Sequence, residues 1–166
     1  MQYEWGIKMT TIRKAVTDDI EDLQRLLFQV NNIHANHRPD LFKLNGIKYS
    51  SDDLVAIFQD PKRQTFVATD SKGMILGYVF CVIENNDETS CLQQVKTLYI
   101  DDLCVDSCHR GKHIGTELYN HALRIGKEMG CYRVTLHAWN FNEHAFEFYK
   151  RLGMTPLVTT MEQLLN

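Results

Sequence analysis

The stretch from Val95 to Gly130 limits the fold more than any other part of the sequence. An apolar strand of about ten residues, Val95 to Val105, runs into the glycine-containing loop Gly111 to Thr116. That loop feeds an amphipathic helix through Met129, and Gly130 ends the helix as a left-handed cap. A strand joined by a tight loop to a one-faced helix cannot bury its apolar surface alone, so it belongs to a layered sheet.

The neighbouring segments supply that sheet. Thr10 to Ala15 reads as a first strand, and Asp18-Asp19 open a helix with Ile20, Leu23, Leu26, Leu27 and Val30 at helical spacing. Asn31 to Tyr49 reads as irregular and polar, and Ser50 or Ser51 caps a short second helix that Asp60-Pro61 stops. Gln64–Thr69 and Met74–Glu84 form two strands about the turn Asp70-Ser71-Lys72-Gly73, followed by a longer polar turn over 85–89. After Gly130 come a strand Arg133–Ala138, a helix Asn142–Leu152 closed by Gly153, and a last strand or strand pair from Met154 onward. Consecutive strands mixed with β-α-β crossovers predict an α/β (α+β) mixed sheet with helices on both faces.

Neither a repeat nor a Pro/Gly/Ser linker divides the 166 residues, so residues 1–166 read as a single domain. Met9 offers a second plausible start, which makes 1–8 an expected poorly ordered N-terminal extension. The net charge of −3 advertises neither nucleic acid nor an anionic membrane surface. No run approaches the roughly 18 apolar residues of a membrane span. Five scattered cysteines without a CxxC pair suit a reducing cytoplasm, the expected location, and form no zinc site.

The chemistry concentrates in Leu103 to Thr116. Backbone N–H groups of the loop and of the helix start form an anion site, Gly111 and Gly115 permit close approach, and Arg110 and Lys112 add positive charge. Neither GxxxxGK[ST] nor GxGxxG is present, so the two common nucleotide fingerprints do not apply. On these residues alone, a phosphate site and a plain strand-to-helix turn both stand.

The string Leu103-x-Val105-x-x-x-x-Arg110-Gly111-x-x-Ile114-Gly115 resembles motif A of the GNAT acetyltransferases, the loop that cradles the CoA pyrophosphate. His113 replaces the family's middle glycine. Asn142-x-x-Ala145-x-x-Phe148-Tyr149-x-x-x-Gly153 resembles motif B of the same family at every position. The resemblance implies a twisted, mostly antiparallel sheet of six to seven strands with about four helices, acetyl-CoA as co-substrate and no metal. It further implies that Leu103, Cys104, Val105, Arg110, Gly111, Lys112, His113, Ile114, Gly115, Thr116, Asn142 and Tyr149 contact acetyl-CoA. In that reading Tyr149 acts as the acid at the thioester sulfur, and a backbone N–H at Leu103 or Cys104 meets the oxyanion. Direct transfer is expected rather than an acetyl-Cys104 intermediate.

Asp101 and Asp102 on the same strand are the candidate base and cation contacts, because an attacking amine must lose a proton. Alternation along a strand points only one of them into a pocket. The run Leu98 to Leu103, with Trp139-Asn140 and Phe148 to Arg151, is similar to the polyamine and thialysine acetyltransferase branch, which implies a small cationic amine as acceptor, with Asp101 as the base relay and Asp102 as a second contact. His34 and Arg38 are further acceptor contacts, in the region where the family builds its acceptor lid. The competing readings are a protein N-terminal or lysine acceptor and, in a different class, a non-catalytic acetyl-CoA-binding module. A homodimer is expected from pairing of exposed sheet edges.

Overall fold

A computed structural model describes residues 10–86 and 91–165. The N-terminal extension 1–8 and most of the polar turn 85–89 lie outside the described residues. Five strands form one sheet in the order β1 (Thr11–Lys14), β2 (Arg63–Thr69), β3 (Ile75–Asn85), β4 (Lys96–Val105) and β5 (Arg133–Leu136). The first four pair antiparallel in succession, and β5 pairs parallel with β4 after a helical crossover.

Two layers of helix cover this sheet. α1 (Ile20–His37) and α2 (Ser51–Gln59) bury Leu23, Leu26, Leu27, Leu54 and Ile57 against Val67, Tyr78, Phe80 and Cys104. α3 (Ile114–Glu128) buries Leu118, Tyr119 and Ala122 on the opposite face against Phe66, Ala68, Val79, Cys81, Leu98 and Ile100. Tyr149 of α4 (Glu143–Arg151) and Leu152, which caps its C-terminus, pack against that second cluster. The period-2 alternation along β3, with Tyr78 and Phe80 one way and Val79, Cys81 and Ile83 the other, assigns each residue to its layer.

Local chemistry explains the helix ends. Ser50 accepts the Asp53 N–H and Asp53 returns a bond to the Ser50 N–H, a capping box that starts α2. The Asn142 side chain accepts the Ala145 N–H at 3.2 Å and starts α4. Gly130 and Gly153, at φ 71° and 94°, follow α3 and α4 in the left-handed region that glycine tolerates.

Three expectations are corrected. The described residues hold five strands rather than six to seven, because 155–165 carry no strand and are exposed throughout. Pro156 removes a ladder donor there, and Leu157 and Val158 lie in solvent instead of on a sheet face. α1 runs on through His37, seven residues past Val30, since nothing in Asn31 to His37 breaks a helix. Arg38 leaves the helical region because Pro39 disfavours α geometry in the residue before it. Lastly, α3 begins at Ile114, so Gly115 and Thr116 belong to the helix rather than to the loop.

Candidate acetyl-transfer site

β4 is longer than its parallel neighbour. Its pairing with β5 ends at Ile100↔Leu136, yet the strand continues to Val105. The edge from Asp101 to Val105 therefore opens onto a cleft of about 1920 Å³ between the α1 side and the α3–α4 side.

A bulge on the other edge of β4 decides where the carboxylates point. Phe80 pairs with Asp102 and Cys81 with Ile100, which leaves Asp101 as an extra residue. Ile100 packs with the α3 layer but Cys104, an even number of residues on, packs with the α1 layer. The extra residue reverses the alternation, so Asp101 and Asp102 both face the α1 side of the cleft. The expectation that only one aspartate lines the pocket fails for this reason.

Both carboxylates grip the same group. Lys48, on the connection between α1 and α2, sets its Nζ 3.2 Å from Asp101 Oδ2 and 3.0 Å from Asp102 Oδ2. The Tyr49 hydroxyl donates to Asp101 Oδ2 at 2.6 Å. Burial raises the Asp102 pKa, although the Lys48 charge and hydrogen bond work against that. Burial opposes the charge of Lys48, yet Asp102 and Asp101 more than offset it and hold the ammonium above its ordinary pKa. On the same face the Tyr78 hydroxyl is fully buried, and burial, then Asp102, keeps it protonated.

The loop between β4 and α3 is shaped by Asp106. Its carboxylate accepts the Cys108 N–H at 3.1 Å and an ion pair from Arg25 at 2.6 Å, which ties the loop to α1. Arg110 Nε donates to the Val105 carbonyl at 3.3 Å. Gly111 and His113 both take positive φ, 76° and 62°, so histidine adopts the left-handed turn where the family's glycine is expected. His113 supplies no side-chain cap to α3, which leaves first-turn N–H donors for a ligand or solvent. A Cβ at Gly115 would meet the Phe148 ring at 3.3 Å, so this turn lies tight against α4. An uncapped helix start behind a left-handed loop suits an anionic, phosphate-bearing group.

Tyr149 stands across the cleft, with its ring 6.1 Å from that of Tyr119. Burial first, then the Asp102 charge, raises the phenol pKa. Cys104 is buried, and its thiol is pushed up to about 12, chiefly by burial, which disarms it as a nucleophile.

Most of the residues singled out in the sequence line this one cleft: Asp101, Asp102, the backbone from Leu103 to Val105, Arg110, Gly111, His113 to Thr116, Asn142, Tyr149 and His34. Lys112 is exposed and does not line it. Arg38 is also absent from its wall, being held by Asp40 at 2.7 Å and Glu162 at 2.5 Å. His34 instead sits in an aromatic group with Phe42, Trp139 and Phe141, at ring distances of 5.0, 6.3 and 5.9 Å. Burial lowers its pKa. Trp139 is exposed enough to form cleft wall. Sequence reasoning missed Lys48, Tyr49 and Tyr78, because no spacing links them to a carboxylate about 25 to 55 residues away.

The sequence model described as the Acetyltransferase (GNAT) family matches residues 22–154, most of the chain. The chain belongs to the GNAT family. An uncharacterised N-acetyltransferase of Methanocaldococcus jannaschii is 30% identical over 147 residues, which is 89% of this chain and 61% of that protein. A probable glucosamine 6-phosphate N-acetyltransferase of Drosophila melanogaster is 25% identical over 142 residues, 85% of this chain and 58% of that protein. This GNAT chain thus spans about three fifths of the length of those relatives. A mutant of the BH1408 protein of Bacillus halodurans shares the fold with a TM-score of 0.90 at 33% identity, covering 94% of this chain and 99% of that one.

Proposed function

We propose that this GNAT chain transfers acetyl from acetyl-CoA to the primary amine of a small cationic acceptor, directly and within a ternary complex. The observation that carries the reading is the seat formed by Asp101 and Asp102, whose carboxylates hold a protonated amine, that of Lys48, at 3.2 and 3.0 Å. A pair of acceptors that grips one ammonium is suited to gripping a substrate's. Burial makes Asp102 a stronger base than an ordinary carboxylate, which favours taking the amine's proton directly or through water.

The neutral amine then attacks the thioester carbonyl. The oxyanion meets a backbone N–H of the unpaired β4 edge near Leu103 or Cys104. Tyr149 donates a hydrogen bond to the leaving sulfur; its raised pKa keeps the phenol protonated through neutral pH. Arg110 to Thr116 cradle the pyrophosphate, and Asn142 contacts the CoA arm. We also assign the protein to the cytoplasm and to a homodimer. Among the described residues no helix is long and apolar enough to cross a membrane. The edges of β1 and β5, with the exposed apolar tail Leu157, Val158, Met161, Leu164 and Leu165, offer surface for pairing.

The test is thiol release from acetyl-CoA against polyamines, diamines, lysine analogues, amino sugars and short peptides. Saturable turnover with the cationic small amines is the expected result. Turnover with peptides alone would move the acceptor to protein, and tight CoA binding without any turnover would leave a non-catalytic module.

A further inference from the structure

Lys48 has no part in the proposed transfer, yet it occupies the seat that this transfer needs. Its Nζ lies 3.0 Å from Asp102 Oδ2 and 3.2 Å from Asp101 Oδ2, and the Tyr49 hydroxyl shares the second oxygen. The same cleft wall carries His34, Leu103 and Tyr149. A primary amine of the chain is thus held by the two carboxylates assigned to deprotonate an acceptor. Between Phe42, which packs with His34 and Trp139, and Tyr49, which packs against the α1-side core, the stretch bearing it is lightly anchored. Leu41, Leu44 and Ile47 are exposed, and the side chains of Asn31 and Asn32 bond it through the Lys43 carbonyl and Asn45. A segment with so little buried apolar surface moves at small cost.

We propose that Lys48 is an internal acceptor, acetylated by bound acetyl-CoA when no outside amine competes; the proposal rests on the acetyl-transfer reading above. One proton of the ammonium passes to Asp102 or Asp101, and the free amine attacks the thioester carbonyl carbon. A C–N bond forms and the C–S bond breaks. The second proton goes with the departing sulfur, so CoA leaves as the thiol and the chain keeps an Nε-acetyl-lysine. The amide is neutral and no longer pairs with the carboxylates, which frees both charges for an external cation. Self-acetylation would therefore open the acceptor seat rather than block it.

Spontaneous acylation would produce the opposite pattern. Asp101 and Asp102 hold Lys48 protonated, which lowers its chemical reactivity toward a thioester in solution. Preference for Lys48 would thus report positioning rather than basicity.

The experiment incubates the full chain with isotope-labelled acetyl-CoA and no amine, then maps label by peptide mass spectrometry. Lys48 is expected to acquire label about ten-fold or more faster than Lys62 and Lys72, at a rate independent of protein concentration. The double substitution Asp101→Asn with Asp102→Asn is expected to bring Lys48 down to the level of those two lysines. Label at Lys48 no greater than at Lys62 and Lys72 overturns the proposal, as does preference that survives the double substitution. The amine panel run on the same preparation separates the two levels. Amine turnover beside an unlabelled Lys48 removes the internal acceptor alone, whereas silence in both removes the transfer reading as well.

Discussion

Tyr149 and the two aspartates have separable expected signatures. Tyr149→Phe keeps the ring that packs against the α3 layer and removes only the hydroxyl, so acetyl-CoA binding measured by calorimetry should change little. Its kcat should fall by about ten- to ten-thousand-fold, the range for one acid–base group; an unaltered kcat would remove the hydroxyl from the chemistry. Replacing Asp101 and Asp102 together by Asn keeps the shape and removes both charges that hold Lys48. KM for a cationic amine should rise while the dissociation constant for CoA stays put. Equal effects on neutral and charged acceptors would show that the carboxylates serve the proton and not the cation.

Between β3 and β4 the backbone does what no single side chain does. The bulge at Asp101 turns two neighbouring carboxylates to one side, and it sits where β5 stops covering the strand. Farther along, Gly77 faces Val105 so closely that a Cβ would lie 2.6 Å from the Cys104 carbonyl oxygen. Gly77→Ala must push these strands apart beside the cleft. The expected loss is about 1–3 kcal/mol, read from the urea midpoint. In the loop before α3 the prediction has the opposite sign. His113 holds φ 62°, a conformation that costs a non-glycine residue about 1–2 kcal/mol. His113→Gly relieves that strain but adds freedom to the unfolded chain, so a net gain of about 0.5–1 kcal/mol is expected from the same titration. A loss would mean that the imidazole contributes contacts that outweigh its strain.

Across the whole molecule, two buried aspartates join the α1 layer to the sheet. Asp19 opposes its burial by accepting bonds from Arg13 at 2.7 and 2.8 Å and from the Val16 N–H at 2.9 Å, and its pKa is lowered. Asp106, likewise held below its ordinary value despite burial, pairs with Arg25 of α1. A carboxylate depressed in the folded state contributes stability that is present above its unfolded pKa of about 3.9 and is lost as pH falls through the folded value. Melting temperature should therefore drop below about pH 4, and Asp19→Asn should flatten that acid limb while lowering stability at pH 7. An unchanged acid limb in this variant would assign the loss to other carboxylates.

Much of the layered fold was legible in the sequence because it rests on local chemistry. The helical spacing of Leu23, Leu26 and Leu27, the caps at Ser50 and Asn142, and the glycines at 130 and 153 each specify their element from nearby residues. The two motifs likewise place Gly111, Gly115, Asn142 and Tyr149 on one cleft, since strand-loop-helix order fixes which ends of the sheet they reach. Tertiary structure alone decided the rest. The end of β5 opposite Ile100, the reversal of alternation at Asp101 and the arrival of Lys48 from a connection about fifty residues away depend on which strands meet and where pairing stops. Residues 155–165 make the same point from the other side: their apolar content suggests a strand, but a strand forms only where it pairs, and this segment pairs with neither outer edge of the sheet and stays exposed.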